Sequence, residues 1–370
     1  MTSWNSRFLP SWLIFVAVAL VYTITAHAQD FASESLAVPA AAVTFNFVTT
    51  PDIGSVSALA ASSEQNIWAT SASNSLALHF DGSRWVKLPM AKAGRVNKAA
   101  VLSSVNVWSV GQQTNERFSQ IQHFNGTAWS VVASPHFANG ERLNSVKAVT
   151  ANSIFAVGVS FDSLNNGTPL ILHFNGTAWS VVSVPRITAG ELTDITVISP
   201  TEMWAVGAVS GQTPGALTMH FNGVQWSRVS APNGALLAVS GLAANNVWAA
   251  GMQLGRSTVI EHWDGTAWKI VASPNVGPSA VLNSISAISP TDIWVAGCSA
   301  CGDVGGNAPA LIEHWNGTTW SINPAPVALS GISANTILSF PSSKHIFIGG
   351  FAFAQFGPMS VILRGAEGLP

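Results

Sequence analysis

Seven charged residues in the first half of the chain lie in or beside loops, where their side chains could bind a charged or polar ligand. They are Lys92, Arg95, Glu116, Arg117, Glu141, Arg142 and Asp162. Only 9% of the 370 residues are Asp, Glu, Lys or Arg, whereas about a quarter is usual in soluble proteins. In a chain this poor in charge, such grouping makes these residues candidates for a ligand-binding role, with an ordinary solvated loop surface as the default interpretation.

Some of these carboxylates could also act in catalysis. Glycoside hydrolases use a pair of carboxyl groups around the scissile bond, and Glu116 or Glu141 could form such a pair with Asp162. A tyrosine nucleophile or a tyrosine-dependent copper site is excluded, because the only tyrosine, Tyr22, lies in the apolar N-terminal segment. Nothing in the sequence shows that two carboxylates converge. We therefore assign no catalytic residue and favour a non-catalytic binding protein, with a glycoside hydrolase as the alternative.

Histidine and cysteine do not indicate a metal site. Metal binding needs several ligands that converge on one ion, whereas six histidines recur at one position of a repeat, at His79, His123, His173, His220, His262 and His314. We expect each of them to hydrogen-bond a neighbouring strand or turn, because buried polar groups need partners. The only cysteines, Cys298 and Cys301, are expected to form a disulfide in an exported protein. No metal or other cofactor is predicted.

A repeat of roughly 45 residues organises the chain. The segment HFNGTAWSVV occurs identically at residues 123–132 and 173–182, and four variants bring the copies to six. Each unit predicts four short strands, because runs rich in Val, Ile and aromatic residues alternate with Gly, Asn, Pro and Ser, and Asn-Gly is a strong hairpin signal. An aliphatic–aromatic signature precedes each copy and occurs a seventh time near the C-terminus; its aromatic residues are Trp68, Trp108, Phe155, Trp204, Trp248, Trp294 and Phe347.

Four-stranded units of this length are typical of β-propeller blades. The last unit supplies only three strands after Pro326. Residues 42–51, AVTFNFVTTP, match the fourth strand of the other units, with Phe45 in place of the tryptophan. We therefore predict an all-β fold, a seven-bladed β-propeller of four-stranded blades whose ring is closed by the N-terminal strand completing the last blade.

The unit resembles kelch-type repeats, in which an aliphatic strand ending in Gly-Gly precedes a tyrosine-bearing strand end and then a tryptophan. In the third unit IFAVG, HFNG and W hold these places, although only Gly349-Gly350 keeps the glycine pair and His-Phe or His-Trp replaces the tyrosine-bearing strand end. The Asn/Asp-Gly-Thr-x-Trp turn also resembles a shortened Asp-box, the hairpin of sialidase-like propellers. Both resemblances imply a propeller and leave the function open, because each family contains enzymes and non-enzymes.

The tryptophans and the loops locate the expected site. Of the fifteen tryptophans, all but Trp4 and Trp12 occupy repeat positions, so packing between blades is their expected role and sugar-binding platforms are the alternative. The loops between second and third strands and the connections between units vary in length, whereas the other turns hardly vary. Since both variable sets leave the same face of a propeller, we expect the site on that face, near the mouth of the central channel.

The N-terminus is typical of a secretory signal peptide. It combines Arg7, an apolar run from Trp12 to Ile24 and the sequence Ala26-His27-Ala28; an uncleaved membrane anchor is the alternative. The predicted organisation is a signal peptide at 1–28, a linker at 29–41, the propeller at 42–365 and a tail at 366–370. We expect a secreted, extracellular or periplasmic monomer, without a transmembrane segment in the mature chain, that binds a protein or glycan. A nucleic-acid partner is not expected, because the net charge is −2 and no basic run occurs.

Overall fold

Strands and short turns make up the described part of the chain. The computed structural model describes residues 42–114, 117–211, 214–253, 258–274, 276–301, 309–326, 331–354 and 357–366. The predicted signal peptide (1–28), the linker (29–41) and residues 367–370 of the predicted tail lie outside these ranges, so their boundaries stay predictions. No helix occurs within the described ranges, and hence none there is long and apolar enough to cross a membrane.

The described residues contain 28 strands in seven antiparallel sheets of four strands each. Blades 1 and 2 comprise β2 (Val56–Ser63), β3 (Asn66–Ser71), β4 (Leu76–Phe80), β5 (Trp85–Pro89), β6 (Gly94–Ser103), β7 (Asn106–Gln113), β8 (Ser119–Phe124) and β9 (Trp129–Val132). Blades 3 and 4 comprise β10 (Glu141–Thr150), β11 (Ser153–Phe161), β12 (Gly167–Phe174), β13 (Trp179–Val181), β14 (Gly190–Ser199), β15 (Glu202–Val209), β16 (Gly215–Phe221) and β17 (Trp226–Val229). Blades 5 and 6 comprise β18 (Ala235–Ala243), β19 (Asn246–Met252), β20 (Thr258–Trp263), β21 (Trp268–Ile270), β22 (Val281–Ser289), β23 (Asp292–Cys298), β24 (Ala310–Trp315) and β25 (Trp320–Ile322). Blade 7 comprises β26 (Ile332–Phe340), β27 (His345–Ala354), β28 (Gly357–Ala366) and β1 (Thr44–Phe47).

The blades form a closed ring. In each blade we call the strands a, b, c and d from the centre outward, and in blades 1 to 6 they are consecutive along the chain. Strand a of each blade packs beside strand a of the next, and β26 of blade 7 packs beside β2 of blade 1. The predicted seven-bladed propeller is therefore confirmed, and the seven a strands surround its central channel.

The N-terminal strand closes this ring, as predicted. Strand β1 pairs with β28 and serves as strand d of blade 7, with Phe45 opposite Gly365. The Phe45 side chain is buried and meets Trp294 of blade 6 edge-on, with 6.1 Å between the ring centroids. The Asn323 side chain binds both backbone groups of Val43, accepting from its N–H at 2.7 Å and donating to its C=O at 2.8 Å.

The Asn/Asp-Gly turn between strands c and d is held by its own side chain. Asn125 Oδ1 accepts hydrogen bonds from the backbone N–H groups of Thr127 and Ala128, each at 3.0 Å. Gly126 has a φ of 95°, a conformation that glycine adopts without the steric cost of a Cβ. The geometry of this turn thus explains the most regular part of the repeat. The same side-chain acceptor occurs at Asp81, Asn175, Asn222, Asp264 and Asn316.

The repeated histidines are bound within their own blades. In blade 1 the His79 ring stacks on Trp68 with 4.4 Å between centroids. His79 Nε2 and Trp68 Nε1 both lie within hydrogen-bond distance of Asn66 Oδ1, at 2.8 and 3.1 Å. The predicted hydrogen bond to a neighbouring strand is therefore confirmed. The side-chain oxygen at the start of strand b plays this part for His123, His173, His220, His262 and His314.

Strand a carries a link between blades that sequence analysis missed. Asn97 Nδ2 donates to the carbonyl oxygen of Leu143 in the next blade at 2.7 Å, and Asn144 Nδ2 donates to that of Leu192 at 2.7 Å. Both asparagines lie at a shift in the register between strands a and b, where the extra residue of a bulge does not follow the ladder. Equivalent bonds are made by Thr193, Asn283 and Asn335.

Candidate functional site: the charged sector of the channel wall

Charged side chains of the channel wall are confined to three adjacent blades. The connections between blades enter strand a on the variable face, so each a strand begins at that mouth of the channel. All seven a strands are described in full, and only those of blades 2, 3 and 4 contain charged residues. We call this set the charged sector: Arg95, Lys98, Glu141, Arg142, Lys147, Glu191 and Asp194. Arg95, Glu141 and Arg142 are among the candidates predicted from the sequence, and the fold adds Lys98, Lys147, Glu191 and Asp194.

Arg142 is held by an ion pair with the next blade. Its Nε donates to Glu191 Oε1 at 3.0 Å, and its Nη2 lies 2.5 and 2.6 Å from the two carboxylate oxygens. Asn144 Nδ2 donates to the same Oε1 at 2.7 Å. Because both charged side chains are largely buried, at 20% and 12% exposure, the pair fixes the guanidinium rather than leaving it mobile for a ligand.

Glu141 is fully buried and binds both strand c of blade 2 and the connection that precedes it. Its Oε1 accepts from the Ser119 N–H at 3.0 Å and from the Ser119 hydroxyl at 2.9 Å, and lies 2.7 Å from His136 Nδ1. Its Oε2 accepts from the Phe137 N–H at 3.0 Å. These contacts give Glu141 a structural role, and no contact within the described residues joins it to Asp162.

We expect Glu141→Gln to destabilise the fold by about 1–3 kcal/mol, because an amide NH₂ would replace one oxygen that accepts from buried donors. Urea denaturation followed by circular dichroism measures the change. Activity on reporter glycosides should be the same for the variant and the original protein. A variant that keeps its stability but loses a glycosidase turnover present in the original protein would contradict the structural role and restore the catalytic alternative.

Two lysines of the charged sector, Lys98 and Lys147, have no hydrogen-bond or ion-pair partner in the described part of the chain. Burial lowers the pKa of Lys98, and the nearby charges of Asp194 and Lys147 act on it in opposite directions. The Lys147 side chain is exposed. Asp194 is itself engaged, because its Oδ1 accepts from the Ser145 hydroxyl at 2.6 Å and its Oδ2 accepts from the Val239 N–H at 3.0 Å.

Arg95 adds a further positive charge to the charged sector. Burial and the charge of Arg142 lower the pKa of Arg95, yet an arginine keeps its proton at neutral pH. Glu191 already compensates the charge of Arg142, so a ligand anion would act mainly on Arg95, Lys98 and Lys147.

Two other predicted site residues, Lys92 and Arg117, lie in loops beside the ends of strands. The Lys92 side chain donates to Gln113 Oε1, and Lys92 N–H donates to Gln122 Oε1 at 3.1 Å. The Arg117 side chain is exposed, while its backbone carbonyl accepts from Glu141 N–H at 2.9 Å. Glu116 lies outside the described residues.

Asp162 holds its own loop together. Its Oδ1 accepts from the N–H groups of Leu164 and Asn166 at 2.9 and 2.8 Å, and its Oδ2 accepts from Asn166 Nδ2 at 3.0 Å. These hydrogen bonds, led by the one from the Asn166 side chain, lower the pKa of Asp162. It is fully ionised at neutral pH, which does not suit the general acid of a glycosidase.

The two cysteines form the disulfide expected from the sequence. Cys298, at the end of β23, is joined to Cys301 by a disulfide, and Cys301 N–H donates to the carbonyl oxygen of Ser279 at 2.9 Å. Among the described residues, no group of three or more His, Cys, Asp or Glu side chains could hold a metal ion.

Comparisons with known proteins extend the fold assignment. No protein-family model matches the chain, and no curated protein sequence matches it. Solved propellers are similar in structure: YCF48 bound to a D1 peptide has a TM-score of 0.58 and 17% identity, covering 90% of this chain and 100% of that chain. YCF48 from Cyanidioschyzon merolae has a TM-score of 0.57 and 16% identity, covering 87% and 98%. The WD40 β-propeller domain of Doa1 has a TM-score of 0.59 and 10% identity, covering 86% and 97%. At these identities the likeness shows the fold alone, and the resemblance to kelch or Asp-box repeats stays a prediction.

Proposed function

We propose that this protein is a non-catalytic propeller that binds an acidic protein segment at the mouth of its channel, along the charged sector of blades 2 to 4. The observation that carries the proposal is the confinement of wall charge to these blades, with Lys98 and Lys147 unpaired within the described residues. The signal-peptide-like N-terminus supports an exported protein. The structural neighbour that carries a D1 peptide supports a protein ligand over a glycan.

Electrostatics favour an acidic ligand over a neutral one. Glu141, Glu191 and Asp194 each use their carboxylate oxygens on protein donors, and Arg142 compensates the charge of Glu191. The three other cations of the sector, Arg95, Lys98 and Lys147, outnumber its two other carboxylates, and a low-dielectric channel focuses the resulting positive potential. An extended peptide with Asp or Glu side chains could place carboxylates beside these ammonium groups.

The test is binding of a fluorescein-labelled peptide of about ten glutamates, measured by fluorescence anisotropy at low and at physiological salt. We expect Lys98→Ala and Lys147→Ala each to weaken binding about tenfold, which corresponds to about 1.4 kcal/mol, and salt to reduce the difference. Lys87→Ala is the matched control, because Lys87 is exposed on strand d of blade 1, away from the channel.

Equal effects of all three substitutions would refute a channel site, since they would indicate general attraction to positive charge. Binding of neutral oligosaccharides on a glycan array, unchanged in the Lys98 and Lys147 variants, would replace the proposed ligand class by a glycan.

A further inference from the structure

We call the contact between two neighbouring blades a seam. Five of the seven seams are filled by a tryptophan from strand b. In each, the ring packs against an aromatic residue of strand d of the following blade, and in four of them also against one at the end of strand c. At the seam between blades 1 and 2, Trp68 lies 4.9 Å from Phe124 and 5.7 Å from Trp129, measured between ring centroids. The same position is filled at the other four seams by Trp108, Trp204, Trp248 and Trp294.

Two seams lack this indole, because a phenylalanine of strand b stands in its place: Phe155 between blades 3 and 4, and Phe347 between blades 7 and 1. In the blade after Phe347, the rings of Phe80 and Trp85 contact each other at 5.3 Å. Trp85 is half-buried, whereas the other strand-d tryptophans are only 4–6% exposed. Trp226 is closed in this way although Phe155 precedes it, so the partly open aromatic wall of blade 1 depends on the residues around Phe347 as well as on the absent indole.

A cavity marks the open slot. It has a volume of about 740 Å³, compared with about 260 Å³ for the groove at the corresponding place between blades 1 and 2. A larger cavity with aromatic walls and a few polar groups is the usual form of a ligand site. Its lining includes Val48, Glu64, Phe80, Trp85, Phe347 and Arg364.

Polar side chains at one edge of the slot also depart from the repeat. Arg364 faces Phe347 across strands b and c, where the other blades carry the repeated histidine, and its guanidinium carbon lies 5.7 Å from the Phe347 ring centroid. His345 Nδ1 lies 2.8 Å from Glu64 Oε2, and Arg364 Nη2 lies 3.0 Å from His345 Nε2. The exposed Arg364 is thereby fixed at the mouth, while the rest of its guanidinium can donate to a ligand.

We propose that the slot between blades 7 and 1 binds an aromatic side chain of a partner protein, and that its preferred ligand is an indole. The same architecture holds an indole against the following blade at five other seams, so the shape of the slot specifies the ring. The site lies on the outer part of the ring and uses none of the channel lysines, and it is therefore independent of the proposed acidic-segment site.

The probe is N-acetyl-L-tryptophanamide, with N-acetyl-L-leucinamide for comparison, and binding is measured by ligand-observed NMR titration on the whole protein. We expect saturable binding of the indole probe, at least fivefold weaker binding of the leucine probe, and at least tenfold loss of indole binding in Phe347→Trp, because the chain's own indole would fill the slot. This variant should also melt at a higher temperature than the original protein. Val181→Trp, which adds an indole at an exposed position on strand d of blade 3, should leave probe binding unchanged.

Should Phe347→Trp fail to fold, Trp85→Ala tests the same slot by removing its ring wall, and we expect at least fivefold weaker binding of the indole probe. The proposal is overturned by the absence of saturable binding to the original protein, by equal affinity for both probes, or by full affinity in a folded Phe347→Trp or Trp85→Ala variant.

Discussion

Removal of residues 42–51 is expected to lower the melting temperature by about 10 °C or more, because it takes away the strand that closes the ring. The loss would expose the edge of β28, uncover Trp294 and leave the Asn323 side chain without its two partners on Val43. Truncating a buried phenylalanine to alanine alone costs about 3–5 kcal/mol, and each kcal/mol shifts the midpoint of a large domain by about 2–4 °C. Thermal unfolding followed by circular dichroism or calorimetry measures the effect. A midpoint that stays within a few degrees of the original would show that the ring does not depend on β1.

Two neighbouring phenylalanines separate ring closure from a general effect of changing the N-terminal strand. Phe45 is 4% exposed and packs on Trp294, whereas Phe47, two residues on, is 42% exposed. We expect Phe45→Ala to cost about 3–5 kcal/mol and Phe47→Ala less than about 1 kcal/mol. Equal losses from the two substitutions would mean that burial against blade 6 is not what stabilises the strand.

Repeat spacing predicts this fold well, because every blade repeats the same turns and strand positions. The Gly-dependent turn, the strand-b aromatic and the histidine each recur in the sequence, so the strands identified in one copy can be assigned in the others. The position of Phe45 could be predicted from its match to the strand-d tryptophans, although its strand is more than 300 residues away from β28.

The candidate site is less predictable, because it depends on which strands become neighbours. Glu141 belongs to a residue type that usually lies at the surface. Its place at the start of strand a instead surrounds it with donors from Ser119 and Phe137 and buries it. Glu191 lies 49 residues from Arg142 and pairs with it only because equivalent positions of consecutive a strands are adjacent. Aligning the a strands, rather than searching the loops, would have placed Lys98, Lys147 and Asp194 in the same wall.

Departures from the repeat carry information that single residues do not. Phe347 is an ordinary core residue by type, and only comparison with the five tryptophans at its position shows that a ring is missing. The size of the resulting cavity also depends on Phe80, Trp85 and the chain that follows β1, which no local pattern specifies.

Two buried glutamates in strand c provide a further departure. Glu261 of blade 5 and Glu313 of blade 6 directly precede the repeated histidine, and both are fully buried. Both carboxylate oxygens of Glu261 lack a hydrogen-bond partner within the described residues. Burial raises the pKa of Glu261 to about 8, and burial likewise raises that of Glu313 to about 8, against a smaller opposing effect of the Ser273 hydroxyl. Both side chains are therefore mainly protonated at neutral pH.

The stability of the protein should fall as pH rises from 6 to 8, and Glu261→Gln with Glu313→Gln should remove most of that fall. The folded state retains protons up to a pKa of about 8, whereas the unfolded chain releases them near 4.5, so unfolding releases protons in this window and becomes easier as pH rises. Each carboxyl accounts for about 2 kcal/mol of unfolding free energy between pH 6 and 8, from about 1.4 kcal/mol per pH unit while it stays protonated.

The four histidines whose pKa burial lowers, at positions 79, 123, 173 and 262, act on stability in the opposite direction near pH 6, but they are common to all variants and cancel in the difference. Urea denaturation of the original protein, the two single variants and the double variant at both pH values gives the comparison, with each single variant expected to remove about half of the effect. Parallel pH curves for all four proteins would show that these carboxyls ionise in the folded state without cost, and would require a buried cationic partner beside them.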